Sequence, residues 1–194
     1  MNTKFISAVI LAASLALAGC SKPSTTGSAK PAAEPVSIAA IQTGATGFTV
    51  GSDMMAHTIY VFYDAECPHC GDLWEAVKPL KSEVQFVWIP VGFLDKASTD
   101  QGAAILASKD PAAAMEAHEA SMRAHTGGIK VSGDLTTQKA AIKRNSDLLT
   151  RFGFDSIPTS IGLNAKTGVL TVQEGESGAD AFAKRFGLPR MRGD

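Results

Sequence analysis

Two cysteines separated by two residues constrain this chain of 194 residues more than any other feature. The motif reads Cys67-Pro68-His69-Cys70. Residues 57–64, before it, are rich in β-branched and aromatic side chains, and residues 71–78, after it, carry apolar side chains at helical intervals. The pair therefore lies at a predicted strand-to-helix junction. There, free backbone N–H groups and the helix dipole favour a thiolate at Cys67, which is the reactive form in thiol–disulfide exchange.

The N-terminus has the layout of a secretory signal. Lys4 precedes an apolar stretch, residues 5–17, that is too short to span a bilayer comfortably. The stretch ends in Leu17-Ala18-Gly19-Cys20, which resembles the lipobox of bacterial lipoproteins. We therefore predict a lipoprotein signal peptide at residues 1–19 and a lipidated Cys20. The alternative is that Cys20 is an ordinary residue of a cleaved or retained apolar segment.

The cysteine count agrees with export. Of three cysteines, setting Cys20 aside leaves Cys67 and Cys70. An exported chain with a single CxxC pair is more plausibly a redox catalyst than a disulfide-stapled scaffold. A net charge of −1 gives no basic surface, so we predict no nucleic-acid partner. No cofactor and no metal are expected.

The rest of the chain divides into three parts. Residues 20–35 are rich in Ser, Thr, Pro, Ala and Lys, which predicts a flexible tether behind the lipid. Residues 36–55 contain several glycines and permit a short strand or hairpin. Residues 56–190 form the predicted catalytic domain.

The pattern in this domain predicts an α/β fold. Strands at 57–64 and 84–91, joined by the helix of the motif, form a parallel βαβ unit. The later predicted elements are helices at 99–108, 111–123 and 135–152, strands at 159–163 and 169–174, and a helix at 179–186. The order is β-α-β, helices, β-β-α, with a helical insertion at about 98–152.

This order, with a CxxC after the first strand and Pro158 just before the third, resembles the thioredoxin fold with a helical insertion. Residues 62–70, followed by Trp74 and Pro79, resemble the active-site region of the periplasmic thiol:disulfide interchange proteins of the DsbC/DsbG class. Residues 103–111 are similar to the start of the insertion in the DsbG-like members. The likeness covers roughly residues 55–188.

The resemblance implies roles for individual residues. Cys67 would be the nucleophile and Cys70 the resolving thiol, with Pro68 and His69 tuning their reactivity. Pro158 matches the family's cis-proline, and it would form a substrate groove with its neighbours Ile157 and Thr159. Asp64 is a candidate proton relay for Cys70; the alternative is a solvated acid or a helix cap. Trp74 and Phe62 are expected in the core.

The function implied is that of an envelope thiol:disulfide oxidoreductase, which exchanges disulfides or reduces oxidised cysteines on exported proteins. A redox partner in the membrane would complete the cycle. The lipid on Cys20 would anchor the chain facing the periplasm, and Ser21 favours the outer membrane.

Two departures from the class matter. The segment before the catalytic strand is too short for the family's dimerisation domain, so we expect a monomer. The CPHC motif and Ile157 are closer to DsbA-type dithiol oxidases, so the direction of electron flow stays open between a DsbG-like and a DsbA-like enzyme.

Two other classes compete. A metal site would combine the cysteines with His57, His118 or His125, although these histidines lack close ligand spacing, and we expect His118 and His125 on solvated surface. Copper-handling thioredoxin-fold lipoproteins normally separate their cysteines by three residues. A non-catalytic module that binds unfolded envelope proteins is the remaining class.

Overall fold

The computed structural model describes residues 32–51 and 54–189. The predicted signal peptide, the lipidated Cys20 and most of the tether lie outside the described residues. Within the described part, no helix combines the length and the apolar character that crossing a membrane requires.

A five-stranded mixed sheet organises the fold, with the strand order β1-β3-β2-β4-β5. The parallel pair β2 and β3 lies at its centre, and β1, β4 and β5 each run antiparallel to their neighbours. The strands are β1 Phe48–Val50, β2 Thr58–Asp64, β3 Gln85–Val91, β4 Thr159–Leu163 and β5 Leu170–Glu174. This confirms the predicted α/β class.

Helices cover the sheet, and those after β2 follow the predicted order. They are α1 Ile38–Gly44, α2 Pro68–Val77, α3 Lys96–Ala107, α4 Pro111–Arg123, α5 Thr136–Arg151 and α6 Ala179–Phe186, with a 3-10 turn at Lys78–Ser82. Helix α2 connects the parallel strands, and α3, α4 and α5 lie between β3 and β4.

The segment before the catalytic strand differs from its prediction. The glycines of residues 36–55 permit a short strand or hairpin, and β1 is such a strand, but α1 precedes it. Ser37 caps this helix by accepting a hydrogen bond from the N–H of Ala40. Ile41 is buried in the core, so the short helix is held by packing that no local pattern reveals.

The central strand β2 is buried on both faces. Its odd-numbered side chains, Ile59, Val61 and Tyr63, join the core on the side of α2 and α6, and Tyr60 and Phe62 join the core on the side of α1 and α5. This two-sided burial is typical of a strand covered by helices on both faces. It confirms that Phe62 and Trp74 are core residues, with 0% and 6% of their surface exposed.

A buried asparagine on α5 links the helical insertion to the sheet by hydrogen bonds. Asn145 on α5 donates hydrogen bonds from Nδ2 to Thr46 O and Pro90 O, both at 2.8 Å, and its Oδ1 accepts the N–H of Thr46 at 2.9 Å. Pro90 belongs to β3, and Thr46 lies in the loop before β1. One side chain therefore joins three parts of the chain that are distant in sequence.

Replacing Asn145 with Ala should lower the free energy of unfolding by about 2–4 kcal/mol, because three hydrogen bonds are lost and the buried Pro90 carbonyl loses a partner. Urea unfolding followed by circular dichroism measures this. Lys143→Ala on the same helix is the control; Lys143 is exposed and paired with Asp147, so its loss should cost less than about 1 kcal/mol. Equal costs for both variants would contradict this role for Asn145.

Candidate active site

The thiol motif begins α2 directly after β2. Cys67 is the N-cap residue with extended backbone, and Pro68 is the first helical residue, a position where its missing N–H has no cost. The N–H groups of Cys70 and Gly71 donate to Cys67 O at 3.0 Å and 3.3 Å, and the N–H of Cys67 donates to Asp64 O at 3.1 Å. Turn and helix together fix the backbone of Cys67.

The pKa values of the two thiols are shifted in opposite directions. A hydrogen bond from the Cys70 thiol is the largest cause that lowers the pKa of Cys67, to about 7, and the backbone N–H groups of Cys70 and His69 act in the same direction against the effect of burial. Burial is the largest cause that raises the pKa of Cys70 well above its usual value. Both thiols are free, and at neutral pH Cys67 is the one that supplies a thiolate.

Asp64 lies behind the motif in the core. Its side chain is fully buried; Oδ1 accepts the N–H of Glu66 at 3.0 Å, and Oδ2 accepts the N–H groups of Phe93 and Leu94 at 2.8 Å and 3.1 Å. The alternative of a solvated acid is therefore wrong, because three backbone donors compensate its burial. Asp64 ties the motif loop to the loop after β3. Its N–H also points at Cys70 Sγ, 3.5 Å away, and the proton relay stays a prediction.

His69 is exposed, and its ring is paired outside the motif. Nδ1 lies 3.3 Å from Oε2 of Glu176, in the turn between β5 and α6. The sequence did not mark Glu176, because this contact joins segments that are over a hundred residues apart. The part of His69 that lowers the pKa of Cys67 is its backbone N–H. A tuning role for its ring stays a prediction.

The strand β4 brings a third segment to the thiols. The Ile157–Pro158 peptide bond is cis, as the resemblance implied, and Ile157 O lies 3.9 Å from Cys67 Sγ. Thr159 is buried and donates from Oγ1 to Ser156 O at 2.7 Å. The structure thus places the Ile157 carbonyl, and with it the start of the cis bond to Pro158, beside Cys67, and the substrate groove stays a prediction.

His118 corrects the sequence interpretation. It was expected on solvated surface, but it is fully buried on α4. Its Nδ1 accepts the N–H of Ile129 at 3.1 Å, so the proton is on Nε2, which donates to Ala65 O at 2.7 Å. This bond holds the loop that leads into the motif. His125 is exposed, as expected.

A carboxyl group that sequence reasoning missed lies beside the motif. Glu119 follows His118 on α4 and is 97% buried, with 3% of its surface exposed. Burial raises its pKa to about 7. In the sequence it is one acid in a helix with other polar residues, and only the packing of α4 on α2 distinguishes it.

The histidines considered as metal ligands lie at different places relative to the cysteines: His125 lines a cavity with Cys67, whereas His118 has both ring nitrogens bonded to backbone. His57 precedes β2, and the cysteines follow the other end of this seven-residue strand, about 20 Å away at the usual rise per residue. Within residues 32–51 and 54–189, no group of three or more His, Cys, Asp and Glu side chains is placed to hold a metal ion.

A dithiol at a helix start, beside a cis-proline that precedes a strand of the mixed sheet, defines this site as one of the thioredoxin-like fold. Solved structures agree on the fold. The catalytic domain of Proteus mirabilis ScsC has a TM-score of 0.56 at 18% identity, covering 76% of this chain and 90% of that chain. Pseudomonas aeruginosa DsbA2 has a TM-score of 0.58 at 20% identity, covering 71% and 90%.

Sequence comparison gives the nearer relationship. The thiol:disulfide interchange protein DsbG of Pseudomonas aeruginosa is 33% identical over 135 residues, which are 66% of this chain and 50% of the relative. DsbG of Escherichia coli is 34% identical over 106 residues, 52% of this chain and 41% of the relative. The chain thus spans about half the length of these relatives, and no family model matches it. The resemblance to the DsbC/DsbG class is confirmed over the matched part of the chain.

The hydrogen bond between the thiols gives a direct prediction. Cys70→Ala removes the donor and should raise the pKa of Cys67 above 7, whereas Cys70→Ser supplies a hydroxyl donor and should keep it closer to the wild-type value. Thiolate absorbance in the ultraviolet, recorded against pH, measures both variants. An unchanged pKa in Cys70→Ala would contradict this cause of the low pKa.

His118 should make the fold less stable in acid. Burial lowers the pKa of His118 in the folded state below the ordinary value of 6.5. As the pH falls through 6.5, the unfolded chain therefore binds a proton at this residue before the folded chain does. The free energy of unfolding falls as a result. His118→Gln keeps an N–H donor but cannot titrate. The stability advantage of the wild type over this variant should therefore shrink from about pH 7.5 to about pH 5. His125→Gln should retain the wild-type slope, and a constant difference between wild type and His118→Gln would contradict the prediction.

Proposed function

We propose that this chain is an envelope thiol:disulfide oxidoreductase that exchanges disulfides or reduces oxidised cysteines on exported proteins. The observation that carries the proposal is the placement of Cys67 at the N-cap of α2 beside the cis Ile157–Pro158 segment, with Cys70 buried one turn further on. This placement lowers the pKa of Cys67 to about 7 and raises that of Cys70. One thiol is ionised for attack, and the other keeps its proton until a mixed disulfide exists. The relationship to DsbG supports the same reaction class.

In this mechanism the Cys67 thiolate attacks one sulfur of a substrate disulfide and forms a mixed disulfide, while the substrate S–S bond breaks and the other sulfur leaves as a thiolate. With a sulfenic acid the S–O bond breaks instead, and the oxygen leaves as hydroxide that takes up a proton to become water. Cys70 lies one turn further along α2 in the same core cluster as Cys67 and is therefore already in place to attack it. Its thiolate displaces the substrate and closes the Cys67–Cys70 disulfide, a step made fast by proximity. Reduction by a redox partner in the membrane would return the pair to its dithiol form.

The substrate would lie across the end of β4. Ile157 O is close to Cys67 Sγ, and Ile157 is only half-buried, so an extended segment that carries the substrate cysteine can pair with this backbone. Ile157, Pro158 and Thr159 would form the groove. The partners are thus cysteine-containing exported proteins.

Location and assembly are part of the proposal. Lipidation of Cys20 would anchor the chain facing the periplasm, with the outer membrane favoured by Ser21, and the catalytic part would act as a monomer. Radiolabelled fatty acid incorporated by the wild type but not by Cys20→Ala supports the anchor; equal labelling of the two would contradict it.

The central test is capture of the intermediate. Cys70→Ser cannot resolve, so after exposure to a disulfide-bonded peptide it should retain one half of the peptide on Cys67, as shown by intact mass and peptide mapping. Cys67→Ser is the control, and no half of the peptide should be found attached to residue 67 of this variant. Absence of an adduct in Cys70→Ser, or turnover retained in full by Cys67→Ser, would contradict the proposal; the second result would favour a binding module.

A DsbA-like oxidase is the second candidate, because the CPHC motif and the aliphatic Ile157 before the cis-proline favour it. Acid quenching of intact cells followed by gel-shift alkylation separates the two directions. A reduced pair supports the DsbG-like role, and an oxidised pair supports a donor of disulfides.

A further inference from the structure

A buried carboxyl group with no role in the mechanism above stands beside the thiol pair. Among the residues that the structure describes, no hydrogen-bond partner lies within reach of Oε1 of Glu119. Leaving a buried acceptor without a partner costs about 1–3 kcal/mol. Such groups are rare in folded proteins and concentrate where chemistry uses them.

The carboxyl group of Glu119 makes a close contact with α2. Its Oε2 lies against Gly71, the residue after Cys70, so closely that a Cβ at position 71 would overlap the carboxylate. Only glycine leaves this space. Glu119 and Cys67 also line one cavity of about 280 Å³, together with Pro68 and Met122. A group bonded to Cys67 from this side would enter the cavity that contains the carboxyl group.

The charges around Glu119 make its protonation sensitive to the state of the thiols. Burial is the largest cause that raises its pKa to about 7, and a thiolate at Cys67 raises it as well. The other groups that face it are Arg123 on its own helix, which lowers the pKa, Glu75 and Asp72 on α2, which raise it, Tyr63 on β2, and His125 at the cavity. Cys67 and Glu119 therefore titrate over the same pH range, and a negative charge on one disfavours a negative charge on the other.

Tyr63 lies in the same core cluster as Cys70. Its hydroxyl is also buried without a hydrogen-bond partner among the described residues; burial is the largest cause that raises its pKa, and the charges of Glu119 and Cys70 raise it further. Glu119 itself lines a cavity with Cys67 and lies against Gly71, the residue after Cys70. The carboxyl group is therefore adjacent to the thiol motif.

We propose that Glu119 is the proton carrier of the Cys67–Cys70 site: it protonates the thiolate that leaves in each exchange step and takes the proton of Cys70 between the steps. This inference rests on the proposed function. It goes further by assigning the proton transfers to a residue of the helical insertion.

The reduced site begins with a Cys67 thiolate, a Cys70 thiol and a protonated Glu119. Cys67 Sγ bonds to one substrate sulfur, the substrate S–S bond breaks, and the leaving thiolate takes the proton of Glu119. Glu119 then accepts the proton of Cys70, whose thiolate attacks Cys67 Sγ; the second substrate thiolate leaves and takes that proton. Two electrons and two protons reach the substrate, and the site ends as a disulfide with an ionised Glu119.

Two reagents distinguish proton transfer from a structural effect. Iodoacetamide alkylates a thiolate and releases iodide, which needs no proton, whereas oxidised glutathione releases a basic thiolate that does. Glu119→Gln keeps the size of the side chain but cannot transfer a proton. We expect it to alkylate no more slowly than the wild type and to reduce oxidised glutathione about 100-fold more slowly, within the usual range for general acid–base catalysis.

The pH profile is an independent readout. The wild-type rate with oxidised glutathione requires an ionised Cys67 and a protonated Glu119, so it should be bell-shaped with a maximum near pH 7. The Glu119→Gln profile should only rise with pH. This readout needs only the wild type to be informative, since a wild-type rate that rises without a maximum would overturn the inference.

Glu116→Gln is the matched control. Glu116 is one turn earlier on α4 and bonds to Trp74 and Lys78 away from the thiols, so both wild-type rates should be kept. The inference would be overturned if Glu119→Gln slowed alkylation by iodoacetamide and reduction of oxidised glutathione equally, or if it left the rate with oxidised glutathione unchanged. A wild type that alkylates normally but does not react with oxidised glutathione at any pH would instead contradict the proposed function.

Discussion

The start of helix α2 at the end of the buried strand β2 is the constraint on which the site depends. It places Cys70 one turn beyond Cys67, where hydrogen bonding from the Cys70 thiol is the largest cause that lowers the pKa of Cys67. Cys70 itself is wholly buried, which raises its own pKa and keeps its proton in place. The two cysteines are chemically identical, and their pKa values differ because Cys67 is at the N-cap of α2 whereas Cys70 is buried one turn into the helix.

The surrounding structure holds that helix start in position from three directions. Asp64 binds the loop after β3, His118 binds Ala65 from the helical insertion, and the cis-proline segment brings Ile157 O to Cys67. Each of these groups comes from a different part of the chain. The helical insertion is thus part of the active site, because α4 supplies both the histidine that orients the loop and the carboxyl group in the adjacent cavity.

Local chemistry explains which features the sequence predicts well. The strand, the CxxC pair and the Pro68 helix start all follow from neighbouring residues, and the helix at Pro111–Arg123 follows from its Asp110 cap and first proline. His118 and Glu119 were missed because their burial depends on how α4 packs against α2. The contact of His69 with Glu176 and the short helix α1 likewise depend on tertiary packing. Residues with strong local signatures are predictable; polar residues buried by distant segments are not.

The most direct test is whether Cys67 and Cys70 form one reversible disulfide. The purified chain would be equilibrated in glutathione buffers of increasing oxidised fraction, quenched with acid, alkylated and weighed by mass spectrometry. We predict a single two-electron transition in which both cysteines lose their reactivity together and a Cys67–Cys70 link appears in the peptide map. Thiols that stay reduced throughout, or that become glutathionylated without linking to each other, would contradict a dithiol active site.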